Sequence, residues 1–576
     1  MKFLLSYLKP HRYTMTAGLV IKFTGTYMDL LIPMILAHII DDIVPLKSPK
    51  DIVLWGTLMI GAAVIALLFN VIANRIASKV AMKTAMEIRR DTFRKVMNLS
   101  CSQLDEISIP SAISRLTSDT YELHNFIGVA QRLGVRAPFL LIVGLMMAFT
   151  LDWRLALVLT SVVPLLAVII YFVFSHGIPL FRESRKAGDE MVRAVRENIQ
   201  GARVIKALSK KDYENKKFTD VNDFVRGKNY HAEKIMSATS PTMNFFLNIG
   251  MAMVLLAGSY LVFEGKSTTG SIIAFLSYFT IILNALLSIT RVIVRYSRAS
   301  AAAARITEIL NKKPRMQKQE TASKEETQNH IEFRDVSFSY ESSSPNLNHL
   351  SFNLKKGETL GVIGATGSGK STVINLLLRF YDPTEGEILI NGENIRSFDP
   401  KELRRRFGTV FQNDFLFSDT IKENISFGRK VSQENIENAA SMAQAEEFIE
   451  KLPDRFEHQL SIKGNNLSGG QKQRVLLSRA FAADPEFLIL DDSSSALDYK
   501  TDAKVREELN KNFADTTKII IAQRITSIMN SDKILVLDEG NNVGLGSHQE
   551  LLKSCKVYKD IYDVQMGEEG SEENAG

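Results

Sequence analysis

Residues Thr359 to Leu377 read TLGVIGATGSGKSTVINLL, and this stretch decides the fold of the second half of the chain. Leu360, Val362 and Ile363 make a short apolar run suited to a buried strand, while Val373, Ile374, Leu376 and Leu377 recur at helical spacing. Between them Gly364, Ala365, Thr366, Gly367, Ser368, Gly369, Lys370 and Ser371, with Thr372 behind, spell G-x-x-x-x-G-K-S, a phosphate loop in the strand, loop, helix context that it requires. The glycines let backbone N–H groups turn inward and approach phosphates closely, and the following helix adds its positive end. Lys370 is placed to reach the outer phosphates and the Ser371 hydroxyl to ligate Mg²⁺.

Further along, Phe487 to Leu490 (FLIL) is a continuous apolar run, as expected of a parallel strand buried on both faces. It delivers Asp491 to the strand's C-terminal end, where α/β sheets bind ligands and where a hard carboxylate oxygen suits Mg²⁺. Between the two motifs Leu467 to Gln471 reads LSGGQ and opens a helical stretch, so Ser468, Gly469, Gly470 and Gln471 form another anion-attracting helix end.

With these motifs in this order the chain resembles a half-transporter of the ATP-binding cassette (ABC) exporter family over nearly all its length. The resemblance implies an all-α six-helix transmembrane domain followed by an α/β P-loop cassette, with ATP and Mg²⁺ as ligands. It assigns Tyr340 to stacking on adenine, Gln412 to sensing Mg²⁺ and the membrane domain, and Ser495 to Asp498 to the loop that crosses between two cassettes.

Two positions depart from the family pattern. Asp492 stands where a glutamate usually polarises the attacking water, and a carboxylate one methylene shorter retracts by ~1.5 Å. Gln523 stands where a histidine usually contacts the γ-phosphate; glutamine donates a hydrogen bond but cannot become cationic. Together they resemble the degenerate half of heterodimeric multidrug-type exporters. The implied partner is a second half-transporter of different sequence, whose competent ATP site this chain's Ser468 to Gln471 would complete. A homodimer with low turnover is the alternative, since aspartate is still a base. Ile462 replaces a glutamate that in the family touches the opposing membrane domain, and that contact is not carried over.

At 576 residues the chain suits a membrane half plus a cassette. The expected division is a transmembrane domain at 1–310, a polar linker at 311–330, the cassette at 331–566 and a disordered acidic tail at 567–576. Six apolar spans fall near 14–40, 52–76, 132–151, 154–175, 241–263 and 271–294, each close to the ~20 residues that cross a bilayer. The N-terminus, MKFLLSYLKPHRY, lacks a cleavage site and reads as an interfacial helix. Clusters of Lys and Arg at 79–95 and 182–196 place the two long loops, and the cassette, on the cytoplasmic side of the cell membrane. Within those loops Ser111 to Asp119 (SAISRLTSD) and Gly201 to Leu208 (GARVIKAL) resemble coupling helices, the first without its usual preceding glycine; ordinary solvated helix faces would read the same way.

A net charge of +6 gives little support for a nucleic-acid partner, and two cysteines, Cys101 and Cys555, exclude a disulfide scaffold. Lys22, Asp29, Asn70, Asn74, Asn248, Asn284 and Arg291 fall in the spans, where polar side chains either mark a path or bond helix to helix. The reading is a subunit of an ATP-driven exporter moving amphipathic drugs or lipids, in contact with membrane lipid. A nucleotide-gated, channel-like protein and a peptide or siderophore exporter are the alternatives.

Overall fold

A computed structural model describes residues 1–316, 318–319, 325–340 and 345–572. The chain divides into two compact units, Met1–Met97 with Ile109–Lys312, and Asn98–Ser108 with Lys313–Gly576.

The first unit is helical throughout. Its long helices are Arg12–His38, Pro49–Met97, Arg136–Leu151, Trp153–Gln200, Lys211–Phe263 and Thr269–Asn311. Polar residues mark two of the starts. Asp152 caps Trp153–Gln200 through the amides of Arg154 and Leu155, and Thr268 caps Thr269–Asn311 through the amide of Ser271. Pro33, Pro164 and Pro241 sit inside helices without ending them, as prolines in membrane helices do. Among the described residues five helical segments are long and apolar enough to cross a bilayer: Phe3–Ile43, Pro49–Met97, Ile109–Leu151, Pro241–Phe263 and Thr269–Asn311. The fourth expected span lies in Trp153–Gln200, whose described apolar stretch Trp153–Ile169 is shorter, and the side chains at 170, 173 and 174 lie outside the described residues.

Thr269–Asn311 runs through the centre of this unit, burying Phe275, Tyr278, Ile282 and Ala285. The Tyr278 hydroxyl donates to the Leu30 carbonyl at 2.9 Å. The polar span residues join in one network: Lys22 Nζ donates to Asn70 Oδ1 at 2.8 Å and Asn74 Oδ1 at 3.1 Å, and Asn70 Nδ2 donates to Asp29 Oδ2 at 3.2 Å. Arg136 Nη2 completes it on the same Asp29 oxygen at 2.8 Å. Asn284 and Arg291 instead bond within their own helix, to the Thr280 carbonyl and the Ser288 hydroxyl.

One coupling-helix assignment needs correction. Ile109–Ser114 and the π-helical turn Arg115–Asp119 stay in the first unit, where Arg305 donates to Asp119 and Arg115 to Glu308. The helix that packs with cassette residues is Cys101–Ile107, just before it, started by a Ser100–Gln103 capping box. Tyr381 Oη donates to Asp105 Oδ2 at 2.5 Å, Arg315 pairs with Glu106 at 2.7 Å, and Gln103 Nε2 donates to the Lys313 carbonyl at 2.8 Å. Ser108, at φ +62°, makes the turn out of this helix that a glycine would make more easily. The second candidate, within Gly201–Leu208, is a short helix Ala202–Ala207 with Val204 exposed.

The second unit carries two sheets. The antiparallel one has the order β2 (Leu347–Lys355), β1 (Asn329–Phe338), β4 (Glu385–Ile390), β5 (Glu393–Asn394). The other, in which only β10 runs antiparallel, has the order β10 (Asn541–Gly546), β9 (Lys533–Asp538), β3 (Thr359–Gly364), β8 (Thr517–Ile521), β7 (Phe487–Asp491), β6 (Phe407–Val410). β3 and β7 are buried almost throughout, which is why they read as apolar runs without alternation. Of the polar linker, residues 317 and 320–324 lie outside the described residues, as do 573–576 of the acidic tail; helix Lys556–Glu572 covers the backbone before them.

Candidate functional site

The sheet register brings the chemistry together. Val362 on β3 pairs with Ile521 on β8, and Ile521 pairs with Asp491 on β7. Three strand ends therefore lie level at one edge of the sheet. The phosphate loop begins two residues beyond Val362, Asp492 directly follows Asp491, and Gln523 lies two residues beyond Ile521. A cavity of about 240 Å³ opens there, walled by Thr366, Gly367 and Gly369 to Thr372 on one side and by Gln412, Asp491, Asp492 and Gln523 on the other.

Local backbone chemistry shapes the loop. Gly369 holds φ +100° at the helix start, and a Cβ there would meet the Asn346 carbonyl oxygen at 2.6 Å. Lys370 Nζ donates to the carbonyls of Gly364 at 2.8 Å and Ala365 at 2.7 Å. Burial pulls its pKa below the ordinary lysine value, and the nearby Asp491 and Asp492 carboxylates oppose that shift. Ser368 is buried in the loop, and among the described residues its hydroxyl has no hydrogen-bond partner.

Asp491 is buried, and burial raises its pKa; a hydrogen bond from Ser371 Oγ at 3.3 Å opposes this, and the neighbouring Asp492 charge adds to it. The donor set fits Mg²⁺: a buried carboxylate with charge to neutralise, a hydroxyl beside it, and Gln412 on the same wall, leaving other positions for water and phosphate oxygens. Among the described residues no cluster of three or more His, Cys, Asp or Glu side chains could hold a metal ion.

Asp492 has φ +51°, and its amide donates to the Ile521 carbonyl at 2.9 Å. Gln523 Nε2 donates to Asp492 Oδ2 at 3.0 Å, so the two residues that depart from the family pattern are in direct contact.

Not every expected residue lies on this cavity. Tyr340 lines a separate one of about 320 Å³ with Phe338 and Tyr381, its hydroxyl accepting from Asn375 Nδ2 at 2.9 Å and its ring edge-on to Tyr381. Ser468 and Gln471 form a reciprocal capping box: Ser468 Oγ accepts from the Gln471 amide and Gln471 Oε1 from the Ser468 amide, which starts helix Gly469–Phe481. Ser468 and Gly469 are exposed and away from the phosphate-loop cavity. The two regions communicate through Ser495, whose Oγ donates to the Asp492 carbonyl at 2.9 Å, and Ala496, whose carbonyl lies 3.1 Å from where a Cβ on Gly470 would stand. Asp498 caps the next helix, Tyr499–Asn512.

Three contributors escaped the sequence reading. Asn346 and Ile521 wall the cavity, and Gln565, far along the chain, bonds to the segment that carries Gln523. No local motif marks any of them; only the sheet register and the return of the last helix bring them in.

Comparison with known proteins gives matching families for both halves. The ABC transporter transmembrane region matches residues 15–286, and the ABC transporter family matches residues 347–495. An uncharacterized ABC transporter ATP-binding protein of Bacillus subtilis, YfiB, is 35% identical over 570 residues, covering 99% of each chain. A second from that organism, YknU, is 34% identical over 97% of this chain and 96% of its own. Among solved structures, a bacterial Atm1-family ABC exporter with ATP bound shares the fold with a TM-score of 0.81, over 96% of this chain and 98% of that one, at 23% identity.

Proposed function

This chain belongs to the ABC transporter family, and on that premise we propose that it is one half of an ATP-driven exporter whose own ATP site turns over slowly. The observation that carries the reading is the contact between Asp492 and Gln523 on a cavity that otherwise holds a full phosphate-binding set.

Lys370, which donates to two loop carbonyls, turns its ammonium to the β- and γ-phosphates of ATP. Ser371, Asp491 and Gln412 would hold Mg²⁺, which would neutralise phosphate charge when bound. Tyr340 offers its ring to the adenine. Asp492 then orients a water against the γ-phosphorus; as the new P–O bond forms, the bond to the β-γ bridging oxygen breaks and the water proton passes to the carboxylate. Its short side chain stands back by ~1.5 Å relative to glutamate. Gln523 engages the same carboxylate and supplies no positive charge to the departing phosphate.

The intact Ser468, Gly469, Gly470 and Gln471 serve the ATP site of a second half-transporter, which we take to be a different chain carrying glutamate and histidine at the two departed positions. ATP binding closes the paired cassettes, Cys101–Ile107 and Ala202–Ala207 pass that closure to the spans, and hydrolysis at the partner's site resets it. For this to drive transport, bound ATP must favour one conformation over the other. The cargo is an amphipathic drug or lipid leaving the cytoplasm or inner leaflet of the cell membrane, a reading supported by the aromatic and methionine side chains within the spans, among them Phe23, Tyr27, Met146 and Phe245.

The deciding experiment is mass spectrometry of the complex purified in mild detergent through a tag on this chain. A stoichiometric second half-transporter with glutamate and histidine at those positions supports the reading. A homodimer that turns ATP over rapidly overturns it.

A further inference from the structure

Helix Lys556–Glu572 returns to the catalytic edge of the cassette and places one side chain against the segment after β8. Gln565 Nε2 donates to the Gln523 carbonyl at 2.8 Å, and Gln565 Oε1 accepts from the Ile525 amide at 2.8 Å. A single primary amide therefore grips both sides of Arg524. The helix that carries it is anchored: Tyr558 is fully buried, Ile561 and Tyr562 pack on the cluster containing Ile525 and Ile528, and the Tyr558 hydroxyl bonds His548 Nδ1 at 2.7 Å.

We propose that Gln565 is a positioning residue for ATP hydrolysis at this chain's site, fixing the backbone of Gln523 so that its side chain meets Asp492. The inference rests on the reading of the phosphate-loop cavity as an ATP site. Gln565 does not itself line the cavity; it acts through Gln523, which does, and whose Nε2 is 3.0 Å from Asp492 Oδ2. The chemistry suits an amide. A primary amide carries a donor and an acceptor on one planar group, so it satisfies a carbonyl and an N–H two residues apart at once. Between asparagine and glutamine, glutamine has the extra methylene to span the distance from the helix. The helix Lys556–Glu572 thereby becomes part of the catalytic apparatus, so that a displacement of it would be felt at Asp492.

The test uses the complex purified from its membranes and photolabelled with 8-azido-ATP carrying an α-³²P label, with the two chains then separated. This reports the nucleotide on this chain apart from its partner. Gln565→Leu is expected to keep label yield within about twofold of wild type while the ADP fraction on this chain in a single turnover falls at least fivefold. Gln565→Glu, which keeps the acceptor for Ile525 and loses the donor to Gln523, should fall between. Hydrogen exchange of residues 522–527 should quicken in Gln565→Leu. An unchanged ADP fraction, a parallel loss of label and ADP, or a wild-type chain that never forms ADP overturns the proposal. A wild-type chain that takes no label at all refutes the ATP reading beneath it.

Discussion

Gln523 and Asp492 are joined by a 3.0 Å hydrogen bond from the glutamine amide to the carboxylate, across 31 residues of sequence. Two positions that depart separately from the family pattern thus form one unit. Residues in contact are expected to behave non-additively on substitution.

Asp492→Glu with Gln523→His should raise ATP turnover at this chain's site on the order of tenfold to a hundredfold, since misplacement by about 1 Å can cost that much. Each single change should give less than its share, because it leaves a partner built for the other residue. Steady-state ATPase of the purified complex, run as a double-mutant cycle, checks this; additive single effects would contradict the coupling.

Lys370→Ala removes the ammonium that two loop carbonyls now hold. A hydrogen bond to a charged group contributes about 1.5–3 kcal/mol, so ATP affinity should fall roughly tenfold to a hundredfold. Titration with a fluorescent ATP analogue measures it, and an unchanged affinity would place the phosphates elsewhere.

Gly369→Ala and Gly367→Ala separate strain from collision. Both glycines have positive φ, which costs a side chain about 1–2 kcal/mol, but only at Gly369 would the Cβ meet a backbone oxygen, at 2.6 Å. Gly369→Ala should therefore lose nucleotide binding, and Gly367→Ala should keep most of it. Equal losses would mean that backbone conformation alone governs the loop.

Asp491→Asn carries a pH signature. Burial, foremost, raises the folded pKa of Asp491 above its unfolded value of about 3.9. The stability this group contributes is full below the unfolded pKa and is lost as pH rises through the folded one. Without nucleotide, Asp491→Asn should therefore be more stable than wild type at neutral pH, with the difference vanishing near pH 4. With Mg-ATP the order should reverse, because the variant has lost a metal ligand. Thermal melts across pH, with and without Mg-ATP, read both.

Lys22→Met or Asp29→Asn breaks a membrane-domain network in which Lys22, Asp29, Asn70, Asn74 and Arg136 bond one another. If these bonds join helix to helix, each change should cost about 1–2 kcal/mol of stability and leave the transported substrate range alone. A shift in substrate range with an unchanged melting temperature would assign the network to the transport path.

The order of motifs along the chain determined much by itself. An apolar run, a glycine-rich turn and a helical period around Lys370 specify a strand, loop and helix because phosphate binding demands that backbone; the six apolar stretches, with basic loops between them, specify a helical membrane half. Asp491 was legible because an all-apolar strand can end in a carboxylate only where something compensates it. These are local signals, with period, propensity and side-chain chemistry read within a few residues.

What the tertiary structure alone decided was which distant residues meet. The register Val362 to Ile521 to Asp491 brings Gln523 to Asp492, and the returning helix brings Gln565 to Gln523. It likewise grouped Cys101–Ile107, rather than Ser111–Asp119, with the cassette residues, because Ser108 turns the chain between them. Register and helix return are set by packing summed over whole elements, with β3, β7 and β8 buried together and Tyr558 of the last helix buried in the cluster that anchors it. No single residue of either pair carries a mark of its partner, so those contacts exist only in the folded chain.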